Sequence, residues 1–208
     1  MKMKKIILLV SFLLSILSSF SQTVEELSMI SYINKIRRDP KSFIPYIDTF
    51  IMNQEVEIDF NKKRNITIVS SKNWITPEQK IEKAKKLINE LKNIEPLDTL
   101  SFSKELYSLS KLRMDSIKKS GVLSHSGFEE AVKIKLKGYT YIKENLSCKD
   151  FKKGFNNNSN YSVLISLMLD LKSTDPNFKE HRETILDKNL TKISIVIDEK
   201  WVVQNFSK

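Results

Sequence analysis

Apolar residues recur at helical spacing along most of the chain and switch to alternation only near its end. In Met29, Ile30, Ile33, Ile36 and Arg37 the spacing is three and four, preceded by Leu27 and by Thr23-Val24-Glu25-Glu26. That opening reads as a capping box, Thr23 accepting from the first turn and Glu26 reaching back. Asp39-Pro40 interrupts the pattern and restarts it, so a second helix is predicted from Pro40 to about Met52, with Phe43, Ile44, Ile47 and Phe50 inward and Pro45 marking a kink or a later start. Thr76-Pro77-Glu78-Gln79 is the clearest helix start, followed by Ile81, Ala84, Leu87, Ile88 and Leu91. After Pro96, Ser101 or Ser103 caps a helix that runs through Phe102, Leu106, Leu109, Leu112 and Ile117 to a stop at Gly121.

Shorter elements follow. Phe128 to Lys137 reads as a short helix, Ile142 to Cys148 as a buried strand, Val163 to Leu171 as an apolar helix, and His181 to Asp187 as a helical turn. Lys192–Ile197 and Trp201–Phe206, separated by Asp198-Glu199-Lys200, are two β-rich runs with a turn-sized gap, which predicts a hairpin. Residues 53–75 fit no period well and are expected to form a variable excursion, with Ile66-Thr67-Ile68-Val69 as a short edge strand. Many helices and few strands predict an α+β domain, a small antiparallel sheet between helices.

Composition changes this picture at the N-terminus. Lys2, Lys4 and Lys5 precede an apolar run from Ile6 to Leu17, and Ser19-Phe20-Ser21 supplies small residues before Gln22. This is the pattern of a secretory signal over residues 1–21, and the apolar run is too short for a comfortable transmembrane helix. The expected mature chain is therefore residues 22–208, one domain, secreted or periplasmic, with no transmembrane segment. Its net charge falls from +10 to +7, because three lysines and no acid are removed. The remaining lysines are scattered and not interleaved with aromatics, which argues against nucleic acid as a partner. The single cysteine, Cys148, excludes an internal disulfide and is expected as a buried strand residue.

The chain's only histidines are His125, in Ser124-His125-Ser126-Gly127, and His181, in His181-Arg182-Glu183-Thr184-Ile185-Leu186. Between them lies Glu144-Asn145-Leu146. Two imidazoles and a carboxylate at the edges of different elements can line a polar pocket or hold a divalent cation such as Zn2+. Glu144 can equally pin a wall by accepting backbone N–H groups, and Arg182 can hold a carboxylate. Ser124 beside His125 suggests a nucleophile only on paper, since no orienting acid or oxyanion hole is readable.

The order of these motifs resembles the CAP superfamily, also called the SCP domain, which includes cysteine-rich secretory proteins, antigen 5, pathogenesis-related plant proteins and many secreted bacterial members. Ile33-Asn34-Lys35-Ile36-Arg37-Arg38-Asp39-Pro40 looks like its first helix. Glu95-Pro96-Leu97-Asp98 and the helix leading to Ser124-His125-Ser126-Gly127 resemble its first histidine region. Glu144-Asn145-Leu146 and the His181 motif resemble two more of its signatures. The resemblance implies an α-β-α sandwich and a cleft where two His and usually two acidic residues converge, carrying over His125, Glu144 and His181. The helix that usually supplies the second Glu reads Ile165-Ser166-Leu167-Met168-Leu169-Asp170, so Asp170 and Glu180 are the available substitutes; Lys143 stands where the family has Gly. The expected role is binding of an envelope, host or small-molecule ligand, or an ion, through this cleft, by a monomer. Asn145 and Arg182 would support the site. A metal-dependent, peptidase-like hydrolase using His125, His181 and Glu144 is the alternative, and a lipid or sterol carrier is a third reading.

Overall fold

The computed structural model describes residues 22–64, 66, 67, 75–149, 159–171, 173, 175 and 178–208. The expected signal at 1–21, the end of the Ile66–Val69 run and the loop around 150–158 lie outside or partly outside them. Helix α1 (Val24–Arg38) opens on the expected capping box and buries Glu26, Met29, Ile30, Ile33, Ile36 and Arg37, while Leu27 is exposed. Pro40–Phe43 makes one 3₁₀ turn, and α2 (Ile44–Lys63) then starts with Pro45 in its first turn. Pro45 therefore initiates a helix, where its missing N–H costs nothing. The expected excursion from residue 53 is corrected up to Lys63: its mixed charges ride on the exposed side of a continuous helix.

Helix α3 (Pro77–Asn93) has the Thr76–Gln79 capping box. Strand β1 (Ser101–Phe102) leads into α4 (Lys104–Ser120), capped by Ser103 and closed by Gly121 at φ +69°. Phe102 is thus a strand residue on the surface and not part of that helix's buried face. Then come α5 (Phe128–Lys135), β2 (Ile142–Cys148), α6 (Ser159–Leu169), α7 (Glu180–Ile185), β3 (Lys192–Ile197) and β4 (Trp201–Ser207). The strand order is β1-β3-β4-β2. β4 pairs antiparallel with both neighbours, but β1 pairs parallel with β3. The sheet is mixed, and β1 escaped the reading because two residues carry no alternation.

Alternation sorts the strands into two faces. Leu146, Val196 and Val203 pack on Tyr107, Met114 and Ile117 of α4, and α5 covers α4 from outside through Ala131 and Leu136. On the opposite face Ile193, Ile195, Val202 and Phe206 join the larger core formed with α1, α2, α3, α6 and α7. This is the expected α-β-α layering of an α+β domain. Strand β4 is central and almost wholly buried. One of its buried amides is tied to α4: Asn205 Nδ2 donates to Ser110 Oγ at 2.8 Å, and Ser110 Oγ lies 2.6 Å from Ser194 Oγ.

Arg37 ties the layers together. Fully buried, it donates to the carbonyls of Asp98 (2.8 Å), Ile185 (2.8 Å), Asp187 (3.0 Å) and Leu190 (3.3 Å). Burial lowers its pKa, opposed by Asp187 and Asp98. Cys148 is half-buried in β2 rather than fully buried. No helix among the described residues is long and apolar enough to cross a membrane.

Candidate functional site

Strand β2 lies at the edge of the sheet, and its alternation sends Glu144 and Asn145 to opposite faces. Glu144 turns toward α4. There Arg113 occupies the buried stripe between Leu109 and Ile117, and its guanidinium donates through Nε to Glu144 Oε2 (2.8 Å) and through Nη2 to Oε1 (3.1 Å). Only 2% of the Arg113 side chain and 1% of that of Glu144 is exposed. The remaining donors reach the carbonyls of Ser126 (2.8 Å) and Ser124 (2.7 Å). One cation thus neutralises the strand carboxylate and fastens the loop that leaves α4. Gly127, at φ +75°, sits against that guanidinium.

The fastened loop presents His125, whose Nδ1 lies 3.0 Å from Glu144 Oε1. A second pair stands on the other flank. Asp170 follows α6 in the left-handed region at φ +49°, is buried, and places Oδ1 on Nδ1 of His181. Lys83 Nζ donates to the Asp170 carbonyl at 3.2 Å; burial pulls the lysine's pKa down, and Asp170 opposes that shift. Asn145 Nδ2 donates to the His181 carbonyl at 3.2 Å, linking β2 to the start of α7. A cleft of about 400 Å³ opens across β2, lined by His125, Glu144, Asn145, Glu180 and His181 among others.

At the cleft's edge Lys143 Nζ donates to Asp187 Oδ2 (2.9 Å), as does Tyr141 Oη (2.6 Å). Burial raises the Asp187 carboxyl, but these hydrogen bonds outweigh it and bring its pKa down to about 2.

Of the expected residues, His125, Glu144, Asn145, Glu180 and His181 line one hollow. Each imidazole has its own carboxylate, and neither Nε2 has a protein partner among the described residues. Among those residues no group of three or more His, Cys, Asp or Glu side chains is arranged to hold a metal ion. Of the expected three-ligand set of His125, His181 and Glu144, the carboxylate has both oxygens engaged, Oε2 by Arg113 and Oε1 by Arg113 and His125 Nδ1. Arg182 does not serve the cleft. It is buried against the Met168 carbonyl (2.9 Å) and pairs with Glu90 (Nε–Oε2 3.0 Å), holding α7 to α3. Ser124 Oγ accepts from the Ser126 N–H at 3.1 Å and forms no nucleophile with His125. Asp170 fills the place of an acid beside the second histidine; Glu180 stays on the rim.

Arg113 and Lys83 were not among the expected residues. The signal for Arg113 was present: a charge in the middle of an apolar helical stripe needs a buried partner.

No protein-family model matches the sequence, and no curated protein matches it. Solved structures similar to this chain include an extracellular protein containing an SCP domain from Bacillus anthracis, 16% identical with a TM-score of 0.42, covering 60% of this chain and 38% of that one. A cysteine-rich secretory protein from Staphylococcus aureus is 14% identical with a TM-score of 0.41, covering 67% and 40%. An outer surface protein from Borrelia burgdorferi is 16% identical with a TM-score of 0.43, covering 65% and 96%. This chain spans about two fifths of the first two proteins.

Proposed function

We propose that the chain is an exported CAP-like domain that binds a small ligand rich in hydrogen-bond donors, through the cleft across β2. One observation carries the reading: two imidazoles on opposite flanks of one strand, each held at Nδ1 by its own carboxylate, both line the same hollow. A carboxylate at Nδ1 keeps the proton there, so a neutral ring offers its Nε2 lone pair as an acceptor. Two such acceptors, with the exposed Glu180 carboxylate beside them, suit hydroxyl or ammonium groups. A cleft of this volume matches a sugar-sized or short peptide-sized molecule. Metal-dependent hydrolysis is disfavoured by the commitment of Glu144 to Arg113.

Because the chain has only two histidines, NMR resolves both rings directly. Glucosamine, carrying hydroxyls and an ammonium, and a panel of polyols and short peptides are titrated in. Saturable shifts of both imidazoles are expected with at least one class. The reading is refuted if no donor-bearing probe moves either ring, or if Zn2+ binds stoichiometrically and Glu144→Gln abolishes that binding.

A further inference from the structure

Strand β2 pairs with β4 alone, and its other edge borders the cleft. The ladder decides which groups face that edge. Lys149 N–H donates to the Lys200 carbonyl at 2.7 Å and Lys208 N–H to the Tyr141 carbonyl at 3.3 Å, so the odd-numbered residues of β2 bond to β4. The main-chain N–H and C=O of Ile142 and Glu144 therefore point the other way. Among the described residues no backbone or side-chain group bonds to them. Both residues line the cleft, with Lys143 and Asn145. Lysine commonly guards a strand edge, but Lys143 Nζ is drawn off to Asp187 (2.9 Å), just past α7, and leaves this edge bare.

We propose that the cleft takes an extended peptide as a short fifth strand, antiparallel to β2, with a basic residue at its centre. The inference rests on the cleft reading above and names its ligand class. Two donors and two acceptors, on residues about 7 Å apart, repeat as a peptide backbone repeats, which sugar hydroxyls do not. Antiparallel pairing is the stabler ladder per residue, and it meets all four groups with the first and third of three peptide residues, opposite Glu144 and Ile142. A hollow of about 400 Å³ holds a chain of that length. A second copy's sheet, with its covering helices, is too thick for it. Alternation then fixes the peptide's side chains. Those opposite Glu144 and Ile142 fall on the α4 side, where His125 Nε2 accepts from a hydroxyl and Phe128 packs on an apolar group. The central one falls on the α7 side, toward His181 and the exposed Glu180 carboxylate. Lys143, directly across, is already neutralised by Asp187, so a central lysine answers Glu180. Thr-Lys-Val is a sequence of this kind.

The test is an NMR titration of the full chain with the capped peptide Ac-Gly-Thr-Lys-Val-Gly-NH2. Saturable shifts are expected at both imidazoles and at the amides of Ile142 and Glu144, with slowed deuterium exchange at those two amides. N-methylation of the peptide's Thr or Val weakens binding at least about tenfold, because each loses a donor aimed at β2. N-methylation of its Lys, whose N–H faces away from β2, changes binding less than about threefold. On the protein, Ile142→Pro removes an edge donor that lies outside the β4 ladder and weakens binding likewise. Glu180→Gln weakens the Lys peptide but not its norleucine analogue. Circular dichroism shows whether each variant is folded, and the methylated peptides apply the test to the unaltered chain. Binding that ignores which amide is methylated, or that follows the reverse pattern, overturns the proposal, as does a preference for lysine that survives Glu180→Gln. Glucosamine moving both rings while the peptide moves neither overturns it and leaves the cleft reading standing; if no probe moves either ring, both fall. A chain that dimerises through the same two amides without peptide also overturns it, since the edge then serves a second copy.

Discussion

Arg113→Met is the sharpest perturbation of the site. The substitution keeps an unbranched side chain on the stripe of α4 but removes the guanidinium paired with Glu144, which is 1% exposed. Leaving one member of a buried pair uncompensated costs about 3–5 kcal/mol. The carbonyls of Ser124 and Ser126 lose their donors as well, though water can reach that loop. For a domain of this length the loss corresponds to a fall of about 6–20 °C in melting temperature. Urea and thermal denaturation measure it. A companion variant decides the cause: Arg113→Met with Glu144→Leu removes both charges and recovers much of the stability, because no buried ion is orphaned. A loss under about 1 kcal/mol in Arg113→Met, or a double variant as unstable as the sum of the singles, would refute the view that desolvated charge pairing organises this wall.

Two further outcomes follow from the same geometry. In Asp170→Asn the ring of His181 loses its anionic partner, so nitrogen-15 shifts report less of the Nδ1–H tautomer while His125 is unchanged; an equal response at His125 contradicts the separation into two pairs. The Asp187 carboxyl is brought down to about 2 in the folded chain, so its stabilising contribution is present above about pH 4 and is lost as pH falls toward 2. The stability difference between the native chain and Asp187→Asn, followed by urea denaturation from pH 5 to pH 2, should therefore vanish at the acid end.

The helices announced themselves wherever capping chemistry and apolar period agreed, at Thr23, Thr76, Ser103 and Gly121. The reading lapsed where these signals diverged. Beyond Met52 the apolar residues of α2 lie outside the core, so the period no longer reports burial. Strand β1 exists because Ser101 and Ser103 donate to Thr191 and Ile193, residues about ninety positions away. At the site, the histidines, Glu144 and Asp170 were readable as residues, whereas their pairing was not. Arg182 stands next to His181 in sequence but joins Glu90 of α3, and Glu144 finds its cation in another helix. Which carboxylate meets which base is decided by packing between layers, a property no local window contains.

The guanidinium of Arg37 imposes an order on biogenesis. It emerges with the first helix, yet three of the four oxygens it binds belong to Ile185, Asp187 and Leu190. A chain growing on the ribosome cannot complete that clasp until Leu190, about 150 positions after Arg37, has appeared. The first helix therefore lacks three of its four Arg37 anchors until that stretch joins the fold, and truncation shortly before Ile185 leaves the Asp98 carbonyl as the remaining acceptor.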